Sequence, residues 1–174
     1  MIAVYLKQKR SRRLENGYPR IWIQEVDRMD GVTKPGDLVR VLDHRGTFLG
    51  TGMINTHSKV MIRMISHQLI KKMDETFFEE RIMHCQAYRS RFLPQTESYR
   101  LVNGEADFLP GLIVDRIGDI LLVRLLSAGM EVRRHFIKNV LVRLFAPRGI
   151  YEISRGTERA AEELKPRTGR MYGQ

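Results

Sequence analysis

The tightest constraint on this chain is the run from Tyr99 to Asp119, YRLVNGEADFLPGLIVDRIGD, where turn residues interrupt apolar segments at short intervals. Tyr99-Arg100-Leu101-Val102 breaks at Asn103-Gly104, the pair that most readily takes positive φ at both centres of a tight turn. A second loop forms around Leu109-Pro110-Gly111, and Leu112 to Ile117 then runs to another break at Gly118-Asp119. Ile120 to Leu126 is almost uninterrupted apolar sequence of strand length. The pattern predicts three short strands joined by closely specified turns.

Helices flank this group. Thr76 to Leu93 carries an apolar stripe through Phe78, Ile82, Cys85 and Phe92, and Pro94 closes it. Glu131 to Phe145 repeats Val132, Phe136, Val140 and Leu144 every fourth residue, flanked by Ile137 and Leu141. Arg133, Arg134, Lys138 and Arg143 occupy the rest of that helix as a solvated face. Ile150 to Ile153 adds a strand, and little apolar material remains from Arg155 onward. Helix, three strands, helix, strand is a small α/β layer that needs another surface to lie on.

Upstream the pattern is all β. Residues 1–8 alternate, Asn16-Gly17-Tyr18-Pro19 is a turn, and Arg20 to Val26 reads as a strand with Trp22 aimed at the core. Leu38-Val39-Arg40-Val41-Leu42 is the next apolar run. Asp43-His44-Arg45-Gly46 turns it into Thr47 to Asn55, and Lys59 to Ile65 alternates again. Gly50 and Gly52 leave two bare positions on one side of a strand, which permits a bulge or a close backbone approach. Short strands with glycine turns at this spacing predict a compact barrel or sandwich.

Composition narrows the function. Thirty Lys+Arg against twenty Asp+Glu give a formal charge of +10, which points toward nucleic acid. Lys7, Lys9, Arg10, Arg12 and Arg13 form a basic arm without an acid among them, and Ser11 stands where a helix cap would. No window approaches a membrane span, and the N-terminus carries no secretory pattern, so a cytoplasmic protein is expected. Cys85 is the only cysteine, placed on the apolar stripe as a small buried hydrophobe. The histidines are scattered, without metal-binding spacing. Glu105, Asp107, Asp115 and Asp119 read either as a Mg²⁺ or acid–base cluster or, with more support, as turn acids bonded to local backbone. No phosphate loop, dinucleotide fingerprint or nucleophile elbow occurs, so neither catalytic nor cofactor-binding nor metal residues are assigned.

The stretch from Arg100 to Asp119 resembles the signature R-L-V-x-G-E-x-D-x-L-P-G-L-I-V-D-R-x-G-D of the S-adenosylmethionine-dependent large-subunit ribosomal RNA (cytosine-C5) methyltransferases. Gly17 and Pro19 resemble the family's G-H-P-W, with Tyr18 and Arg20 at its second and fourth places. Gly46 to Gly52 with Asn55 and Ser58 resembles G-x-F-L-G-x-G-x-x-N-x-x-S, while Tyr151-Glu152 and Gly169 to Gly173 resemble its Y-E and G-x-x-x-G. Phe108 departs from the pattern by standing where glycine is usual, and Arg155 to Leu164 follows it poorly.

The resemblance implies a mixed α+β chain: a PUA-like β pseudobarrel over 1–73, a small α/β domain over 74–165, and a tail over 166–174. In the family a Rossmann-like domain follows, with the S-adenosylmethionine loop and a catalytic cysteine that Cys85 does not match. The expectation is therefore the RNA-binding part of a methyltransferase active in rRNA processing, not catalytic by itself. Its predicted RNA contacts are Lys7, Lys9, Arg10, Arg12, Arg13, Arg20 and Arg63. Ribosomal RNA is the expected partner, and a homodimer is left open. So are three other readings: the non-catalytic half of an enzyme assembled in trans with a separate methyltransferase domain, a truncated gene product, and a protein-interaction module.

Overall fold

A computed structural model describes residues 1–10, 12–93 and 96–173. The expected cap at Ser11 and helix stop at Pro94 lie outside the described residues. The first half of the chain builds a six-stranded curled sheet from β1 (Ala3–Leu6), β2 (Arg20–Trp22), β3 (Val26–Met29), β4 (Leu38–Leu42), β5 (Phe48–Ile54) and β6 (Val60–Ser66). A single helical turn, α1 (Arg12–Glu15), joins β1 to β2. The strand order is β2-β6-β5-β4-β1-β3, with β1 and β4 parallel and the other pairs antiparallel. Val4, Leu6, Ile21, Val39, Val41 and Ile62 fill its core, and Leu14 pins α1 to it.

The strand expected over Arg20–Val26 is broken. After Trp22 the chain makes a 3-10 turn over Ile23–Glu25, because the buried Glu25 carboxylate accepts the Trp22 backbone N–H at 2.8 Å. Trp22 is consequently half-buried, not a core residue. Gly50 and Gly52 do what two bare positions allow. Both lie under close neighbours, with Ser66 against the first and Ile62 and Arg63 against the second, and the β5–β6 register shifts between Thr51 and Gly52.

The second half forms a five-stranded sheet in the order β11-β10-β9-β8-β7. Its strands are β7 (Ser98–Asn103), β8 (Leu112–Ile117), β9 (Ile120–Leu125), β10 (Gly149–Ser154) and β11 (Arg167–Gly173). The helices are α2 (Glu75–Phe92), α3 (Ala128–Glu131), α4 (Arg134–Phe145) and α5 (Thr157–Ala161). Asp74 caps α2 by accepting the Phe77 N–H at 3.3 Å. Phe78, Ile82 and Cys85 face the core with Leu101, Val114, Val123, Ile137 and Leu141, whereas Phe92 is exposed at the end of the helix beside Tyr88. Burial pushes the Cys85 thiol up to about 11, with the Asp107 charge adding to the effect.

Three expectations change here. Asn103-Gly104 is not a two-residue hairpin turn: Asn103 ends β7 with φ −122°, and a 3-10 turn over Gly104–Asp107 begins the longer connection. The helix expected from Glu131 divides into α3 and α4, so Val132 lies exposed between them and Ile137, Val140 and Leu141 supply the buried side of α4. Residues 167–173, expected within a tail, pair antiparallel with β10 as an edge strand. Met53 and Ile65, though on β5 and β6, belong to the core of the second sheet, so the two sheets share a packed junction.

Gly111 sits on the connection between β7 and β8 with φ +86°, where an added Cβ would overlap the Ser127 side chain. Gly111→Ala is expected to cost about 3 kcal/mol, read as a lower urea midpoint at unchanged slope. For Cys85, native-state alkylation at pH 8 should run at least roughly a hundredfold slower than in the denatured chain, since a rise of the thiol from 9.0 to about 11 removes that share of thiolate.

Candidate nucleic-acid interface

The basic arm is an ordered turn. Lys7 N–H donates to Glu25 O at 2.9 Å and Arg10 N–H to Lys7 O at 3.1 Å, after which α1 is held down by the buried Leu14. Lys7, Lys9, Arg10 and Arg12 are exposed, and none has a carboxylate within ion-pair distance among the described residues. Arg13 differs: it reaches Glu25 Oε1 at 3.2 Å and lies 4.2 Å from the Tyr18 ring centroid.

Arg20 and Arg63 are placed elsewhere. They are cross-strand neighbours on β2 and β6, and both turn toward the second sheet. Arg20 donates from Nε and Nη2 to Glu105 Oε1 at 3.0 and 2.8 Å, and Arg63 Nη1 reaches the same oxygen at 3.0 Å. Arg63 also donates from Nε and Nη2 to Glu162 Oε1 at 3.0 and 2.9 Å. The other Glu162 oxygen accepts Asn55 Nδ2 and the Ala128 N–H, each at 3.1 Å. Glu162 is thus a buried carboxylate satisfied by four donors from three segments.

The signature acids are paired with arginines. Asp107 forms a two-pronged pair with Arg89 at 2.8 and 2.7 Å and accepts the Asn103 N–H, which joins the turn to α2. Asp115 meets Arg100 and Arg124, and Asp119 lies 3.4 Å from Arg148. Among the described residues, no three His, Cys, Asp or Glu side chains gather closely enough to hold a metal ion.

Sequence reasoning missed Glu105 and Glu162 as the partners of Arg20 and Arg63. It also missed the surface beside them. Phe108 takes the left-handed conformation, φ 55° and ψ 30°, and leaves its ring half exposed over a groove of about 570 Å³ that Arg81, His84 and Tyr88 also line. The glycine expected at this position is the available signal, because such a backbone favours glycine.

Residues 4–67 match the family of PUA-like domains. The chain carries a PUA-like domain. Along 99% of its length it is 35% identical to the "Ribosomal RNA large subunit methyltransferase I" of Tolumonas auensis, and along 97% it is 33% identical to the protein of that name from Klebsiella pneumoniae. It spans 44% and 43% of those relatives' lengths. Among solved structures, a putative SAM-dependent methyltransferase from Streptococcus mutans superposes on the whole chain with a TM-score of 0.80 at 20% identity, covering 44% of that protein. A putative methyltransferase complexed with SAH gives 0.81, also at 20% identity, over 43% of its chain. At that identity the likeness speaks for the fold alone.

Removing one partner of a buried ion pair leaves the other charge stranded. Arg63→Ala is therefore expected to cost about 3 to 5 kcal/mol in urea unfolding. Arg20→Ala, from a more exposed pair, should cost less than about 1 kcal/mol.

Proposed function

We propose that this chain is the RNA-recognition part of an S-adenosylmethionine-dependent large-subunit ribosomal RNA methyltransferase of the cytosine-C5 type, without methyl-transfer chemistry of its own. Residues 1–73 act as the PUA pseudobarrel, and 74–165, completed by the edge strand β11, as a small α/β domain seated against it. The observation that carries the reading is the arm: Lys7, Lys9, Arg10 and Arg12 stand exposed and unpaired among the described residues, on a PUA-like domain. Cations held in a fixed turn and free of carboxylates are available to phosphate.

Arg13 extends this surface through Tyr18. Arg20 keeps 37% of its side chain exposed and can join the site at its edge, whereas Arg63, at 11%, serves chiefly to hold the sheets together. In the second sheet β9 and β10 are parallel, but the strands follow one another in chain order, so the sheet has no switch point at which an α/β sheet opens a ligand crevice. That supports assigning the S-adenosylmethionine chemistry to residues other than these. A cytoplasmic site of action on ribosomal RNA follows from the same reading.

Affinity for structured RNA should fall steeply with salt. Arg10→Glu combined with Arg12→Glu should weaken binding and lower the slope of log K against log salt by roughly 1.5 to 2, as two lost phosphate contacts require. Filter binding across a salt series measures both; an unchanged slope removes the arm from the interface.

A further inference from the structure

Phe108 combines two costs that packing does not explain. Its backbone is left-handed, which disfavours any residue with a Cβ, and the residue is 51% exposed. The ring stands between two hollows. On one side lies the groove with Tyr88, itself 61% exposed. On the other lies a smaller hollow of about 120 Å³ lined by Tyr18, Pro19 and His67, next to the arm.

Charge in the groove has the sign that nucleic acid needs. Arg81 lies 5.4 Å from the Phe108 and Phe77 ring centroids, and its only hydrogen bond among the described residues goes to Ile65 O at 3.3 Å. No carboxylate pairs with it among the described residues, because Asp107, on the groove wall, is held by Arg89. The Arg81 guanidinium therefore keeps free N–H donors beside the half-exposed Phe108, in a groove that Tyr88, packed against Phe92 at 4.8 Å, also lines. Aromatic faces with an adjacent cation are how proteins hold unpaired bases, by stacking and by contact with phosphate or base edge.

We propose that this groove takes unpaired bases of the bound RNA, stacked on Phe108 and Tyr88 with Arg81 against the strand. The inference rests on the RNA-binding reading above and adds a preference for single-stranded segments. The path runs from the arm past Arg13 and Tyr18 to Phe108, then along α2.

The test compares an RNA hairpin, carrying 2-aminopurine in its unpaired loop, with a blunt duplex of equal length at one salt concentration. Phe108→Leu and Tyr88→Leu keep apolar bulk, and at position 108 the same backbone demand, but remove the aromatic face. Each should weaken hairpin binding about tenfold, leave the duplex unchanged and abolish quenching of the probe. Phe108→Trp should retain affinity and quenching. Leucine variants that bind and quench like the unaltered chain, or that lose hairpin and duplex equally, overturn the stacking site. If they bind normally while the Arg10→Glu, Arg12→Glu chain loses both RNAs, the stacking site alone falls. An unaltered chain with no affinity for either RNA ends both readings.

Discussion

The contact between Arg63 and Glu162 holds the two sheets in one relative position. Its Glu162 carboxylate is buried, and its four donors come from β6, from Asn55 just after β5, and from the start of α3. Burying a carboxylate alone would be strongly unfavourable, and only a near-complete donor set makes it tolerable. That requirement is directional in a way apolar packing is not. Met53 and Ile65 add apolar contact without a required donor geometry, whereas a shift that opened Glu162 to fewer donors would strand a charge.

Local periodicity made much of the second sheet legible. β8 and β9 follow from apolar runs bounded by Gly118-Asp119, and α2 lies one residue from its expected bounds because Phe78, Ile82 and Cys85 repeat at helical spacing. The ion pairs were not legible. Arg20 and Glu105 are 85 residues apart, and Arg63 and Glu162 are 99 apart, so no local pattern links them. β11 escaped for another reason. Arg167, Thr168, Gly169 and Arg170 are all exposed at a sheet edge, and a strand that turns only Met171 toward the core leaves no apolar alternation to read.

Net charge is a coarse guide to a binding surface. Arg20, Arg63, Arg89, Arg100, Arg134 and Arg143 all meet carboxylates and help to hold the fold. Cations outside the arm are also exposed without an ion pair among the described residues, Arg45, Lys59, Lys71, Arg155, Lys165 and Arg170 among them; the arm differs in bringing Lys7, Lys9, Arg10 and Arg12 together on one short turn. An arginine's position in sequence says little about which group it belongs to. Arg12 and Arg20 are close in sequence, yet one faces solvent and the other crosses to the second sheet.

The junction also relates the arm to the rest of the surface. Leu14 fixes α1 to the first core, and Arg13 bridges Glu25 and the Tyr18 ring. Phe108 belongs to the connection that Glu105 ties to Arg20 and Arg63, and Asp107 ties the same turn to α2 through Arg89. Each link uses a paired charge or a buried side chain, so displacing one part of the surface against another would break a satisfied contact. A ligand crossing both sheets therefore meets groups whose spacing is already set, and less of the binding energy goes into ordering them.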